Sequence, residues 1–119
     1  MDCIFCKIAE GTSPSYKIYE DDYIVGIMDI DPACDGHVLL IPKKHYTDMM
    51  ELDEKILLHM NEVAKKLTPE IMKKLDKKSM TVSYNYGDRQ VVKHFHMHLL
   101  PDLETKPTHK VEEIYEKLK

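Results

Sequence analysis

No apolar stretch in this 119-residue chain approaches the roughly 20 consecutive residues that span a bilayer, so no transmembrane segment is read. Positive charge is not in excess either. Seventeen Lys and Arg stand against twenty-one Asp and Glu, a formal net charge of -4, which argues against nucleic acid or an anionic membrane as the main partner. The start, Met1-Asp2-Cys3-Ile4-Phe5-Cys6, lacks a basic region followed by an apolar core. No secretory signal is read there, and a cytoplasmic location is expected. Repeats, low-complexity tracts and linkers are missing. Cysteine is scarce and odd in number, three in all, so a fully paired disulfide framework is not expected. In a reducing compartment the Cys3-x-x-Cys6 spacing points to metal binding or redox work, and Cys34 reads as a small, partly buried side chain.

What is present describes one globular domain, residues 1–119, with 43% hydrophobic and 32% charged residues and a length sufficient to bury a core. Cys3–Glu10 reads as a short helix closed by Gly11. Tyr16–Tyr19 and Tyr23–Met28 read as strands joined by the turn Glu20-Asp21-Asp22. His37–Ile41, stopped by Pro42, makes a third strand. Asp53 caps a helix whose apolar residues Ile56, Leu57, Met60, Val63, Ala64 and Leu67 recur at three- and four-residue spacing. Thr68-Pro69 reads as a new cap with proline at the first helical position, restarting a helix through Leu75. Met80–Tyr84 and His94–Leu100 resume strand patterning, and Glu112–Lys119 reads as a terminal helix. The expected fold is α+β, a five-stranded antiparallel sheet with one long helix and short flanking helices.

The most informative segment is His94-Phe95-His96-Met97-His98. On a strand, alternate side chains share a face, so three imidazoles would stand together while Phe95, Met97 and Leu99 face a core. Imidazole serves as nucleophile, proton carrier or metal ligand. A plain polar face, a His-x-His metal site and covalent catalysis all begin from this pattern, and the strand alone does not separate the last two.

The rest of the chain adds to it. His94–Leu100 followed by Pro101, with Gly36-His37-Val38-Leu39-Leu40-Ile41-Pro42-Lys43-Lys44-His45, resembles the histidine triad (HIT) nucleotide-binding family, whose hallmark is His-φ-His-φ-His-φ-φ with φ apolar. Asp29-Ile30-x-Pro32 and Cys3-Ile4-Phe5-Cys6-Lys7-Ile8 are similar to two further family segments, so the resemblance runs along almost the whole chain in order. It implies a HIT-like fold, a likeness to the microbial zinc-containing branch, a homodimer and a purine nucleotide ligand of the AMP type. It also implies hydrolysis of nucleoside phosphoramidates at the α-phosphorus through a nucleotidyl-histidine intermediate.

By that resemblance His96 is the nucleophile, His98 and Gln90 donate to the phosphoryl oxygens with Asn85 nearby, and His37 orients the site or the leaving group. Asp29 takes the ribose hydroxyls, and Ile4, Phe5, Ile8, Ile27 and Ile30 enclose the base. Residues 1–11 thus form a segment shared by zinc and base pocket, and 102–119 a tail. Some microbial members hold a structural zinc with the cysteine pair, the histidine after Pro-Lys-x and the first triad histidine, here Cys3, Cys6, His45 and His94. No organic cofactor is expected. The chain departs from the family pattern at Arg89, where glycine is usual, and at Val91, where a hydroxyl residue is common. Arg89 is therefore read as a charged phosphate clamp. A dinucleoside polyphosphate hydrolase, a nucleotide-binding regulator with little turnover and a metalloenzyme using all three triad histidines are the competing readings.

Overall fold

The structure is a computed structural model describing residues 3–119; Met1 and Asp2, part of the expected 1–11 segment, lie outside the described residues. Helix α1, Ile4–Glu10, begins at Cys3, whose Sγ accepts the Cys6 amide at 3.3 Å, and ends at Gly11 with φ 83°. Strands β1, Lys17–Glu20, and β2, Ile24–Met28, form a hairpin. Its turn is tied by the Asp21 carboxylate, which accepts the Tyr23 and Ile24 amides at 2.8 and 2.9 Å. Strand β3, Val38–Pro42, precedes helix α2, Glu54–Leu75, capped by Asp53 through the Lys55 amide at 2.8 Å. Strand β4, Met80–Ser83, a single 3-10 turn at Gly87–Arg89, strand β5, Met97–Pro101, and helix α3, Val111–Leu118, complete the chain.

The five strands form one antiparallel sheet in the order β1-β2-β3-β5-β4. Alternation divides its side chains between two cores. Ile24, Met28, Val38, Leu40, Met97 and Leu99 pack with Met60, Val63, Leu67 and Ile71 of α2. Val25, Ile27, Leu39 and Ile41 pack on the other face with Cys3, Phe5 and Ile8 of the α1 segment. Leu39 is registered against His98, so the triad's last histidine belongs to the α1 face, where the sheet is covered only by a short helix and leaves room.

Two expectations are corrected. The long helix does not restart at Pro69; it runs unbroken for 22 residues. Proline removes one amide and crowds the carbonyl of Lys65, yet Pro69 and Lys65 are both exposed, so the break falls on the solvent side of the helix. The buried stripe Val63, Ala64, Leu67, Ile71 passes the proline without losing phase, and packing overrides the local break. Strand β5 begins at Met97, not His94. The Phe95 amide donates to the Tyr46 carbonyl at 2.6 Å, outside the ladder, and the chain bends at residues 92–94 just before it.

Candidate active site and metal cluster

A cavity of about 560 Å³ opens on the α1 face of the sheet. Its apolar walls include Ile4, Phe5, Ile8, Ile27, Ile30 and Leu39, and its polar groups include Asp29, Asn85, Arg89, His96 and His98. All five residues expected to enclose the base therefore line one space, with Ile4 and Ile30 on its open side. A slot of this size and polarity suits a flat heteroaromatic ring carried on a polar tail.

The hydrogen bonds around the histidines fix their protons. His96 sits with Nδ1 at 2.9 Å from the His94 carbonyl, so Nδ1 carries the hydrogen and Nε2 keeps the lone pair. Burial lowers the His96 pKa, against the opposing pull of the His94 carbonyl and the Asp29 charge, and the ring is biased toward its neutral, nucleophilic form. Phe5 stands edge-on at 5.1 Å and His98 at 5.0 Å between ring centroids.

His37 is assigned in the same way. The Ala33 amide donates to His37 Nδ1 at 3.1 Å, so the ring hydrogen is on Nε2 and is given to His98 Nδ1 at 2.9 Å. His98 must then carry its own hydrogen on Nε2, as a donor in the cavity wall. Burial, and then the neighbouring His96 and His37, push the His98 pKa down to about 4, so it donates as a neutral ring. Asp29 Oδ2 lies 3.6 Å from His37 Nε2, and its Oδ1 accepts the Asp31 amide at 2.8 Å. One backbone amide thus sets the polarity of a chain running Ala33, His37, His98.

Gln90 is placed differently from the expectation that it donates to phosphoryl oxygens. It is buried, and its Nε2 hydrogens go to the carbonyls of Thr47 at 2.6 Å and Val92 at 3.1 Å. Both donors are committed, and Gln90 pins the loop that carries Arg89 and Val91. Sequence reasoning also missed Ser13, Ser15 and Asp31 in the cavity wall and the Ala33 amide beneath it.

The second cluster gathers Cys3, Cys6, His45 and His94, all with donor atoms within 4.8 Å of one another. Cys3 Sγ is 3.3 Å from His94 Nδ1, and Cys6 Sγ is 3.3 Å from His45 Nδ1 and 3.4 Å from His94 Nδ1. The two Nδ1 atoms are 3.1 Å apart. A tetrahedral zinc with ordinary thiolate and imidazole bonds separates its ligand atoms by about 3.3–3.8 Å, so these four separations stand within a few tenths of an ångström of what that ion needs. His94 Nε2 donates to the Pro42 carbonyl at 2.8 Å, which leaves Nδ1 bare toward the cysteines. Burial, and then hydrogen bonding with the Cys3 thiol, push the Cys6 pKa up to about 11. A bound cation would reverse that preference by taking thiolates as ligands. The donor set can hold a metal ion.

Asp29, His37 and His98 also converge within 4.8 Å. A neutral imidazole has one lone-pair nitrogen, and His37 has given its own to the Ala33 amide. Its Nε2 therefore points a hydrogen, not a lone pair, into that group; the hydrogen goes to His98, and the Asp29 charge stands beside that pair at 3.6 Å.

Fold and site together describe a small α+β protein with a histidine-lined cavity of nucleotide size. The HIT domain family matches residues 10–105, and the chain belongs to that family. The adenylylsulfatase of Arabidopsis thaliana is 37% identical over 102 residues, covering 84% of this chain and 52% of that protein. The adenosine 5'-monophosphoramidase of Saccharomyces cerevisiae is 35% identical over 104 residues, 87% of this chain and 65% of that one. Among solved structures, a Zn-bound histidine triad family protein from Mycobacterium smegmatis superposes with a TM-score of 0.90 at 31% identity, covering 99% of this chain and 91% of that chain.

Proposed function

We propose that this chain is a nucleotide hydrolase that acts at the α-phosphorus of nucleoside phosphoramidates through a nucleotidyl-histidine on His96. The observation that carries the reading is the His94 carbonyl on His96 Nδ1 at 2.9 Å, which leaves Nε2 as the free base of a neutral ring in the cavity wall. Attack of Nε2 on phosphorus forms a P–N bond and breaks the bond to the leaving amine. The departing electron pair stays on the amine nitrogen, which takes up a proton as it leaves. Water then cleaves the P–N(His96) bond and releases the nucleoside monophosphate. His98 Nε2–H is the neutral donor for the developing charge on the phosphoryl oxygens, oriented by His37. Asp29 is suited to accept the ribose hydroxyls, and the apolar slot to hold the base by burial.

Cys3, Cys6, His45 and His94 would hold a structural zinc, closed to substrate, that joins the start of α1 to the loop before the nucleophile. The proposal extends to a cytoplasmic homodimer. It is supported by the absence, among the described residues, of any helix long and apolar enough to cross a membrane, and by β4 standing at the sheet edge with Val82 exposed. The names of the yeast and plant relatives, a monophosphoramidase and an adenylylsulfatase, support cleavage next to an adenylyl group with different leaving groups. The test is AMP release from adenosine 5'-phosphoramidate and from diadenosine polyphosphate by the wild type and His96→Ala, with acid-quenched mass spectrometry. Turnover lost in the variant and an adenylyl adduct on His96 is the expected result. Tight AMP binding without turnover of either compound would replace the reading with a nucleotide-binding regulator.

A further inference from the structure

Asp29 and Asp31 give the cavity wall two carboxylates, and Arg89 gives it one side chain that is cationic at any working pH. Among the described residues the Arg89 guanidinium has neither an ion pair nor a hydrogen bond, although carboxylates lie in the same wall. Its backbone, in contrast, is firmly placed. The 3-10 turn Gly87–Arg89 is entered at Gly87 with φ 83°, and Lys93 Nζ donates to the Gly87 carbonyl at 3.0 Å. The buried Gln90 amide next to it closes on Thr47 and Val92. A fixed stem with an unpaired arginine in the wall of a ligand cavity is an arrangement that lacks only its anion. The α-phosphoryl group already has the His98 donor, and Asn85 stands in the same wall.

Resting on the phosphoramidase-type reading above, we propose that Arg89 is a specificity residue that selects substrates whose leaving group carries its own anion, a carboxylate, phosphate or sulfate. A guanidinium offers a planar pair of donors to any of these groups, with no equivalent for an uncharged one, and it repels a cationic amine. Arg89 takes no part in bond making: His96 Nε2 bonds to phosphorus, the leaving atom departs with its electron pair, and the guanidinium holds the far end of the departing group.

The experiment compares three adenylyl compounds with the wild type and Arg89→Gln: the glycine phosphoramidate of AMP, its carboxamide, and the mixed anhydride of AMP with sulfate. Each substrate is scored by the ratio of kcat/KM between the two proteins, so that differences in intrinsic reactivity cancel. The expected result is that Arg89→Gln lowers kcat/KM for the anionic compounds by about tenfold more than for the carboxamide, a gap that narrows with added salt because the guanidinium is exposed. A response confined to the carboxylate or to the sulfate compound also supports the proposal and names the anion. An equal loss on all three compounds overturns it. If the wild type turns over none of them, the hydrolase reading fails, and calorimetry on His96→Ala still decides the role of Arg89. A preference for the glycine conjugate over its carboxamide that Arg89→Gln abolishes sustains anion selection; equal binding ends it.

Discussion

Gly36 and Gly11 both sit at positive φ, 87° and 83°, but in different surroundings, and replacing each by alanine separates backbone strain from crowding. A Cβ on Gly11 meets nothing within 4 Å, so Gly11→Ala carries only the left-handed penalty, about 1 kcal/mol. A Cβ on Gly36 lies 2.5 Å from Leu75 Cδ1 and 3.0 Å from Pro101 Cγ. The Leu75 methyl can rotate away at the end of α2, but the Pro101 ring is fixed in β5, so the backbone must yield. Overpacking of this kind adds about 1–3 kcal/mol, for a total of about 2–4 kcal/mol. A chain of this length unfolds with an entropy of about 0.25 kcal/mol per degree near its midpoint. The expected drops in Tm by calorimetry are therefore about 4 °C for Gly11→Ala and about 8–16 °C for Gly36→Ala. Gly36 also leads directly into His37, so the larger shift should appear in the ring proton resonances of His37 and His98. Equal Tm losses, or unmoved histidine resonances beside a large loss, would refute the reasoning.

Metal removal is the second prediction. Mass spectrometry under native conditions should find one zinc per chain, and Cys3→Ser should lose it with a fall in Tm of about 10 °C or more. Protein free of zinc with an unchanged Tm in the variant would remove the site. The third concerns acid. The unfolded chain protonates His98 near its ordinary pKa of 6.5, whereas the fold holds it down to about 4. The unfolded state therefore binds more protons in that window, and stability falls as pH drops from 6.5 toward 4. Urea midpoints across this range should decline less steeply in His98→Asn, and identical slopes would show that the ring is not buried as a neutral donor.

Much of the fold was legible because its signals are local. Gly11 ends α1, Asp53 caps α2, and the continuous apolar run ending at Pro42 marks a fully buried strand, with most boundaries falling within a residue of expectation. Pro69 misled because proline is a local signal and the stripe that outweighs it is not. The alternation of the histidine run held, since Phe95, Met97 and Leu99 enter the α2 core while His94 meets the cysteines and His96 meets Phe5; only the start of the strand was misplaced, because regular pairing begins at Met97. Gathering Cys3, Cys6, His45 and His94 was legible through the family resemblance, since nothing in the spacing between positions 6, 45 and 94 states that they meet. The destination of the Gln90 amide could not be read, because its partners are backbone carbonyls, which any sequence supplies. The same holds for the Ala33 amide on His37.

His94 serves two masters through different atoms: its ring faces the cysteines and its carbonyl accepts the Nδ1 hydrogen of His96, the proposed nucleophile. The two sites therefore meet in one residue. A redesign that grafts the His96 loop onto another scaffold carries that oxygen along, but without the cysteine pair it must find another way to hold residue 94 in place. Oxidants that attack the thiols would take from the His94 ring its sulfur partners, and so act on the very residue whose carbonyl holds the His96 hydrogen.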